Sequence, residues 1–351
     1  MHGIFPSWYL SIETSTSIHD VCSDIWQIIF QYFDTTELFT TLAHLTVTAD
    51  QVLFNENEHF YLRGLVINEH LEDLPMEIIL NRAISLTLYD SCCLDIIEQC
   101  SKLRSLRLFG SIEWITSLIW KVISQSIKLE QLIIVISGIT SLPELLAPIL
   151  SIFSLRRLEI CADDFKDSCR ICDSNITSNN IEQFILRSSS TPNCADLLFF
   201  SFHLMKIQLL NISLITKNQS TIPSFNFRNL RTLVLGLLEV SFDWIVQVVA
   251  TIPCLVKLKL NGLVNEEGFV VNERWIDLFE SAHILARIFV DLSLEQGDQF
   301  YHCEKVQKRL RVFNLQLQCD DDNDQDCYQY YGRAYRWWSL KGIIIRPPGY
   351  L

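Results

Sequence analysis

Leu103-Arg104-Ser105-Leu106-Arg107-Leu108 has the form L-x-x-L-x-L. Read as a strand, it puts Leu106 and Leu108 on one face and Arg107 on the other, because successive side chains point to opposite sides. The form recurs as Leu129…Leu132…Ile134, Leu155…Leu158…Ile160, Ile181…Phe184…Leu186 and Leu204…Ile207…Leu209. It continues as Leu230…Leu233…Leu235, Leu255…Leu258…Leu260, Leu285…Ile288…Val290 and Leu310…Phe313…Leu315. Steps between first positions are 26, 26, 26, 23, 26, 25, 30 and 25 residues. Self-similarity at so steady a period marks an internal repeat. Leu62…Leu65…Ile67 and Ala83…Leu86…Leu88 extend it toward the N-terminus with shorter steps.

Between the phrases the apolar period changes. Ile115, Leu118, Ile119, Val122 and Ile123 fall at i, i+3, i+4, i+7 and i+8, the stripe of an amphipathic helix. Ile245, Val248, Val249 and Ile252 repeat the pattern less fully. Each unit therefore reads as strand, turn and helix, too small to bury its own apolar faces, so it must stack on its neighbours. The predicted fold class is α/β, with parallel strands lining an inner surface and helices outside.

This pattern resembles the leucine-rich-repeat family over about Leu62 to Gln316, which implies a horseshoe solenoid of about eleven units across residues 59–318. Cys100-Ser101-Lys102-Leu103 is similar to the cysteine-containing subtype, while Ile252-Pro253-Cys254-Leu255 has Ile252 at the Cys position. The family's Asn or Cys ladder is largely replaced by Ser111, Ser137, Asp163 and Ser189.

Ahead of the repeats, after an extension over residues 1–17, Val21 to Leu38 lies in a predicted small helical domain at 18–58. Asp24 suits a first helical turn, and Ile25, Ile28, Ile29, Tyr32 and Phe33 form a wide apolar stripe. The segment resembles the F-box. Val21 and Cys22 stand at its Leu-Pro, Asp24 at its Glu, and Ile25-Trp26 and Ile29-Phe30 at its two apolar pairs. Tyr32-Phe33 and Glu37-Leu38 match its end. Cys22 in place of proline and a missing later tryptophan depart from the pattern. Leu74-Pro75-Met76-Glu77 copies the opening better but runs straight into the strand phrase at Ala83.

The resemblance implies docking to an Skp-type adaptor, and through it a cullin scaffold, by Val21, Cys22, Ile25, Trp26, Ile29, Phe30, Tyr32, Phe33 and Leu38. F-box followed by leucine-rich repeats implies the substrate receptor of a ubiquitin ligase, a binding protein rather than an enzyme. Two readings stand beside it: a non-ligase scaffold whose first helices only cap the solenoid, and an extracellular repeat receptor.

Composition narrows the classes. The 351 residues are 49% hydrophobic and 20% charged, with a formal net charge of -13. With no Lys/Arg-rich run, a general nucleic-acid or polybasic membrane-surface role is not expected. Met1 to Leu10 lacks a basic n-region and a sufficient apolar run for a secretory signal, and Leu197 to Ile215 carries His203, Lys206, Gln208 and Asn211, too polar for a span. A cytoplasmic or nuclear location is expected. The twelve cysteines then read mainly as reduced. Cys169-x-x-Cys172, with Cys161 and Cys194, lacks the second close pair a structural zinc site needs. The sequons at Asn175, Asn211 and Asn218 matter only in a secreted chain. Asp320 to Asp326 fails the calcium-loop pattern at Gln325 and Tyr331. With aromatic Tyr328 to Trp338, it reads as an acidic loop and C-terminal cap over 319–351. No catalytic signature appears, and no metal or cofactor is expected.

The open strand face is the expected recognition surface. Arg107, Arg157, Arg187, Lys206, Lys257, Lys259 and Arg287 are read onto it, against Glu159 and Asp291. An excess of cations on an acidic chain points to an acidic or phosphorylated target protein.

Overall fold

A computed structural model describes residues 17–33, 35–54, 61–67, 76–90, 92, 94–140, 142–165, 180–188, 204–215, 227–296, 314–320 and 336–346. The protein is α/β, built on one open, mostly parallel sheet of twelve described strands. Its first ten strands follow one another in chain order: β1 Leu65–Ile67, β2 Ser85–Tyr89, β3 Ser105–Gly110, β4 Gln131–Thr140, β5 Arg157–Phe165, β6 Gln183–Ser188, β7 Leu209–Ile215, β8 Thr232–Leu238, β9 Lys257–Val264 and β10 Arg287–Gln296. All neighbours among these ten pair in parallel.

One backbone device recurs where strands begin. The N–H groups of two successive residues donate to a single carbonyl of the unit before: Glu130 and Gln131 to Arg104, Arg156 and Arg157 to Glu130, Gln208 and Leu209 to Glu182. The device fixes the phase of these units and corrects one of them. In the seventh strand the phrase is Ile207…Leu210…Ile212, three residues later than the expected Leu204…Ile207…Leu209, since Phe184 pairs with Leu210 and Leu210 with Leu233. Both phasings are apolar in sequence, and only the inter-unit hydrogen bonds separate them.

Two apolar rows cross the sheet on the side covered by the helices. One is Leu106, Leu132, Leu158, Phe184, Leu210, Leu233, Leu258 and Ile288; the other is Leu108, Ile134, Ile160, Leu186, Ile212, Leu235 and Leu260, and every member of both is buried. Into the same core pack α5 Ile112–Ser124, α6 Leu142–Ile149, α7 Phe242–Ala250 and α8 Asn272–Ser281. The periodic stripe of α5 meets the core as predicted, with Ile115, Leu118, Ile119 and Val122 buried in it. Ser111 and Ser241 start α5 and α7 by accepting from Trp114 N and Trp244 N, which explains serine at those positions. Gly262 in β9, at φ +123°, holds a conformation L side chains rarely adopt, with β8 backbone crowded where a Cβ would stand.

The N-terminal helices belong to the same core. These are α1 Ser23–Phe30, the short α2 Thr35–Glu37 with a π turn Leu38–Leu42, and α3 Val47–Phe54. Trp26, Phe30, Leu38, Val52 and Leu53 join one apolar cluster with Leu62 and Leu65. Thr35 donates N–H and Oγ1–H to Arg63 O, and the buried Arg82, at the end of α4 Met76–Arg82, donates Nη1–H to Leu53 O at 3.0 Å.

At the other end the order changes. β12 Arg336–Ile345 pairs antiparallel with β10, and β11 Leu315–Asp320 lies beyond it, antiparallel to β12. The expected last repeat phrase, Leu310…Phe313…Leu315, is therefore not a further parallel unit; its strand is separated from β10 by β12. Among the described residues ten strands pair in parallel. Arg346 fastens this end by donating to Phe279 O at 2.8 Å and to His283 O just past α8. Among the described residues no helix is long and apolar enough to cross a membrane.

Candidate recognition surface

The strand positions between the buried rows face away from the helices, and the pairing register aligns them. One row runs Ser105, Gln131, Arg157, Gln183, Leu209, Thr232, Lys257, Arg287, Ile345. The next runs Thr87, Arg107, Ile133, Glu159, Ile185, Asn211, Val234, Lys259, Phe289, Ile343. Six of the seven cations expected on this face stand on it: Arg107, Arg157, Arg187, Lys257, Lys259 and Arg287. Lys206 does not. The three-residue phase shift puts it ahead of Ile207, on the rim where strands begin, with its Nζ 2.5 Å from Asn180 Oδ1. Asn180 in turn donates Nδ2–H to Phe153 O, and Asn229 likewise to Met205 O, so this rim position ties neighbouring units together.

The face has two charged regions. In β3 to β6, Glu159 is only 8% exposed and is held by Arg157 Nη2 at 3.2 Å and Arg187 Nη2 at 3.1 Å. Two arginines around one sunken carboxylate make a charge-assisted clamp across adjacent strands. Arg107 lies over the Phe109 ring at 4.9 Å, and Phe109 stacks on Tyr89 at 4.9 Å. The Cys161 thiol beside the clamp is pushed up, first by burial and then by the Glu159 charge, with Arg187 and Arg107 acting the other way. Below the clamp, Arg104, Glu130, Arg156 and Glu182 alternate in sign along a polar cavity of about 350 Å³. Arg104 pairs with Glu130 at 2.9 Å and Arg156 with Glu182 at 3.9 Å.

In β9 and β10, Lys257, Lys259 and Arg287 have no such partner among the described residues. Lys257 sits over the Phe289 ring at 4.6 Å, and among the described residues neither Lys259 nor Arg287 makes an ion pair. Asp291 is engaged by Lys341 at 3.7 Å. Beside them Ile343 and Ile345 are 44% and 61% exposed. Phe289, Ile343 and Ile345 belong to none of the sites expected from the sequence; the run Ile343-Ile344-Ile345 is the signal for the two isoleucines, since in a strand Ile344 turns to one face and its two neighbours to the other.

In and around α1 the structure divides the residues assigned to adaptor docking. Trp26 and Phe30 pack against each other at 5.4 Å inside the core, and Leu38 is buried with them. These three side chains are buried in one cluster with Leu62 and Leu65 of the first strand unit. Val21, Ile29 and Phe33 are partly buried against that core. Cys22, Ile25 and Tyr32 are exposed, and Ile28, absent from the docking set, joins them: Ile25 at 46%, Ile28 at 51% and Tyr32 at 84% lie at i, i+3 and i+7.

Among the described residues no cluster of His, Cys, Asp or Glu is arranged to hold a metal ion. Cys169, Cys172, Cys194, the sequons at Asn175 and Asn218 and the acidic run beyond Asp320 lie outside the described residues. Asn211 is in β7 on the open face. No protein-family model matches the chain, and no curated protein matches its sequence.

Proposed function

We propose that the chain is the substrate-binding subunit of an Skp–cullin–F-box type ubiquitin ligase acting in the cytoplasm or nucleus, a leucine-rich-repeat solenoid led by an F-box. The exposed face of α1 docks the Skp-type adaptor and the open sheet face holds the target protein. The observation that carries this reading is the bare pair Ile25 and Ile28 on a helix, with Tyr32 exposed in the turn just past its end, while Trp26 and Phe30 lock the helix's opposite side into the core. A rigid helix presenting exposed apolar side chains gains about 25 cal/mol per Å² when a partner covers them. The chain itself supplies no chemistry in this role. It raises the local concentration of a target at an enzyme carried by other subunits.

The test is a pull-down with recombinant Skp-type adaptor, comparing the wild type with Ile25→Asp/Ile28→Asp. Both positions are exposed, so the variant keeps its circular dichroism spectrum. Binding by the wild type and loss in the variant are expected. Absence of wild-type binding overturns the ligase reading in favour of a scaffold. One observation favours that second reading: Trp26, Phe30 and Leu38 share a core with Leu62 and Leu65, as a cap over the first strand would.

A further inference from the structure

We infer that the target-docking site is the β9–β10–β12 end of the open face, and that its occupant is an extended segment of another protein bearing a pair of carboxylates with an aliphatic residue about three positions away. The inference rests on the proposed role of the open face in holding a target.

The three strands place nine side chains on a regular grid. Lys257, Arg287 and Ile345 are in register; so are Lys259, Phe289 and Ile343; so are Asn261, Asp291 and Lys341. Neighbouring strands lie about 4.8 Å apart and alternate residues along one strand about 7 Å apart. Lys257, Lys259 and Arg287 thus occupy three corners of one small rectangle, with mutual repulsion and no free carboxylate among the nine to relieve it, Asp291 being engaged by Lys341. Such a cluster on a chain of formal net charge -13 is where an anion gains most. The corners are spread over adjacent strands, so they fit separate carboxylates along a chain better than one compact dianion.

The aliphatic part follows from the other side of the grid. Ile343 and Ile345 are exposed on the open face, paired along one side with Phe289 and Arg287 of β10, while the β11 ladder reaches only to Gly342. Phe289 lies between them and the lysines. Two inter-strand steps from β9 to β12 span about 10 Å, the reach of about three extended residues. A segment crossing the strands would therefore set its carboxylates over Lys257, Lys259 and Arg287 and its aliphatic side chain over Phe289, Ile343 and Ile345. The β3–β6 region is a poorer site, because Glu159 already occupies Arg157 and Arg187.

The experiment pans the full chain against a displayed library of random peptides about 12 residues long, enough to cross the three strands with residues to spare, and measures the consensus peptide, fluorescein-labelled, by anisotropy. A consensus of two acidic residues with an aliphatic residue about three positions off is expected. Lys257→Glu/Lys259→Glu should weaken that peptide at least about tenfold, as should Ile343→Ser/Ile345→Ser, while Arg107→Glu leaves it unchanged. A consensus without acidic residues, no enriched peptide, or binding lost in Arg107→Glu but kept in the lysine variant overturns the inference. The same preparations are scored for adaptor binding. Adaptor bound without the consensus overturns this inference alone, and the consensus found without adaptor binding overturns the ligase reading alone.

Discussion

Arg157 and Lys257 stand in the same row of the open face, four strands apart, and carry the same charge, yet different side chains stand two residues along from them. In the row beside Arg157 the position is Glu159, which draws Arg157 and Arg187 into a clamp; in the row beside Lys257 it is Lys259. The first arrangement uses its cations to hold strands β5 and β6 together. The second leaves them beside exposed isoleucines. A basic residue on an open strand therefore says little about recognition until the side chains two residues along and one strand over are known.

The comparison can be broken most severely through the backbone that sets the second grid. A Cβ at position 262 would come within 2.2 Å of Leu237 O, at a φ of +123°. Gly262→Ala should cost about 3 kcal/mol or more in urea unfolding. A silent substitution would mean that β8 and β9 do not hold the spacing on which the grid depends.

Next in size is the clamp. Glu159→Gln removes the charge that two guanidinium groups share, and should cost about 1–2 kcal/mol, tempered by the partial exposure of both arginines. No loss in denaturant unfolding would reduce the clamp to a surface contact. The same variant has a chemical readout. Glu159 helps to raise the Cys161 thiol, whereas Arg187 and Arg107 lower it. Removing the carboxylate lowers the thiol pKa, so more thiolate is present at a pH of about 8 and Cys161 should react faster with iodoacetamide, measured by mass spectrometry. Cys100, buried and pushed up to about 12, should stay unmodified in both proteins and serves as the control.

The smallest effect is expected in the second region. Lys257→Ala/Lys259→Ala should change stability by no more than about 0.5 kcal/mol, since it removes like charges and no described ion pair. A large loss would show that these lysines hold the fold as Arg157 and Arg187 do.

Much of the sheet was legible because each unit needs the same two inward aliphatic residues, and residues such as Leu106 and Leu108 advertise that at a fixed period. The helices were legible where a full stripe exists, as at Ile115 to Ile123. What failed was whatever depends on a neighbour. Leu204, Ile207, Leu209, Leu210 and Ile212 support two phasings, and only the bonds from Gln208 and Leu209 to Glu182 O choose one. The Leu310 phrase looks like its predecessors, but whether a strand pairs in parallel is not written in the strand. Along α1 and the turn after it the apolar stripe is wide enough to hide two faces, so Trp26 and Phe30, fixed inward, were grouped with Ile25 and Tyr32, which are exposed. The Glu159 clamp joins residues on two strands, Arg187 lying 28 positions beyond Glu159, and becomes visible only once the register sets β5 beside β6.

The inserted position of β12 has a consequence for biosynthesis. β12 follows β11 in the chain but precedes it in the sheet, so while a ribosome is still making residues 336–345 the far side of β10 lacks the described strand that pairs with it. During that interval the nascent chain carries a long unpaired edge, the kind of surface on which other strands add. Translation that stalls between β11 and β12 would release a product with nearly all of its units folded and its end open, a species for chaperones or proteases to remove.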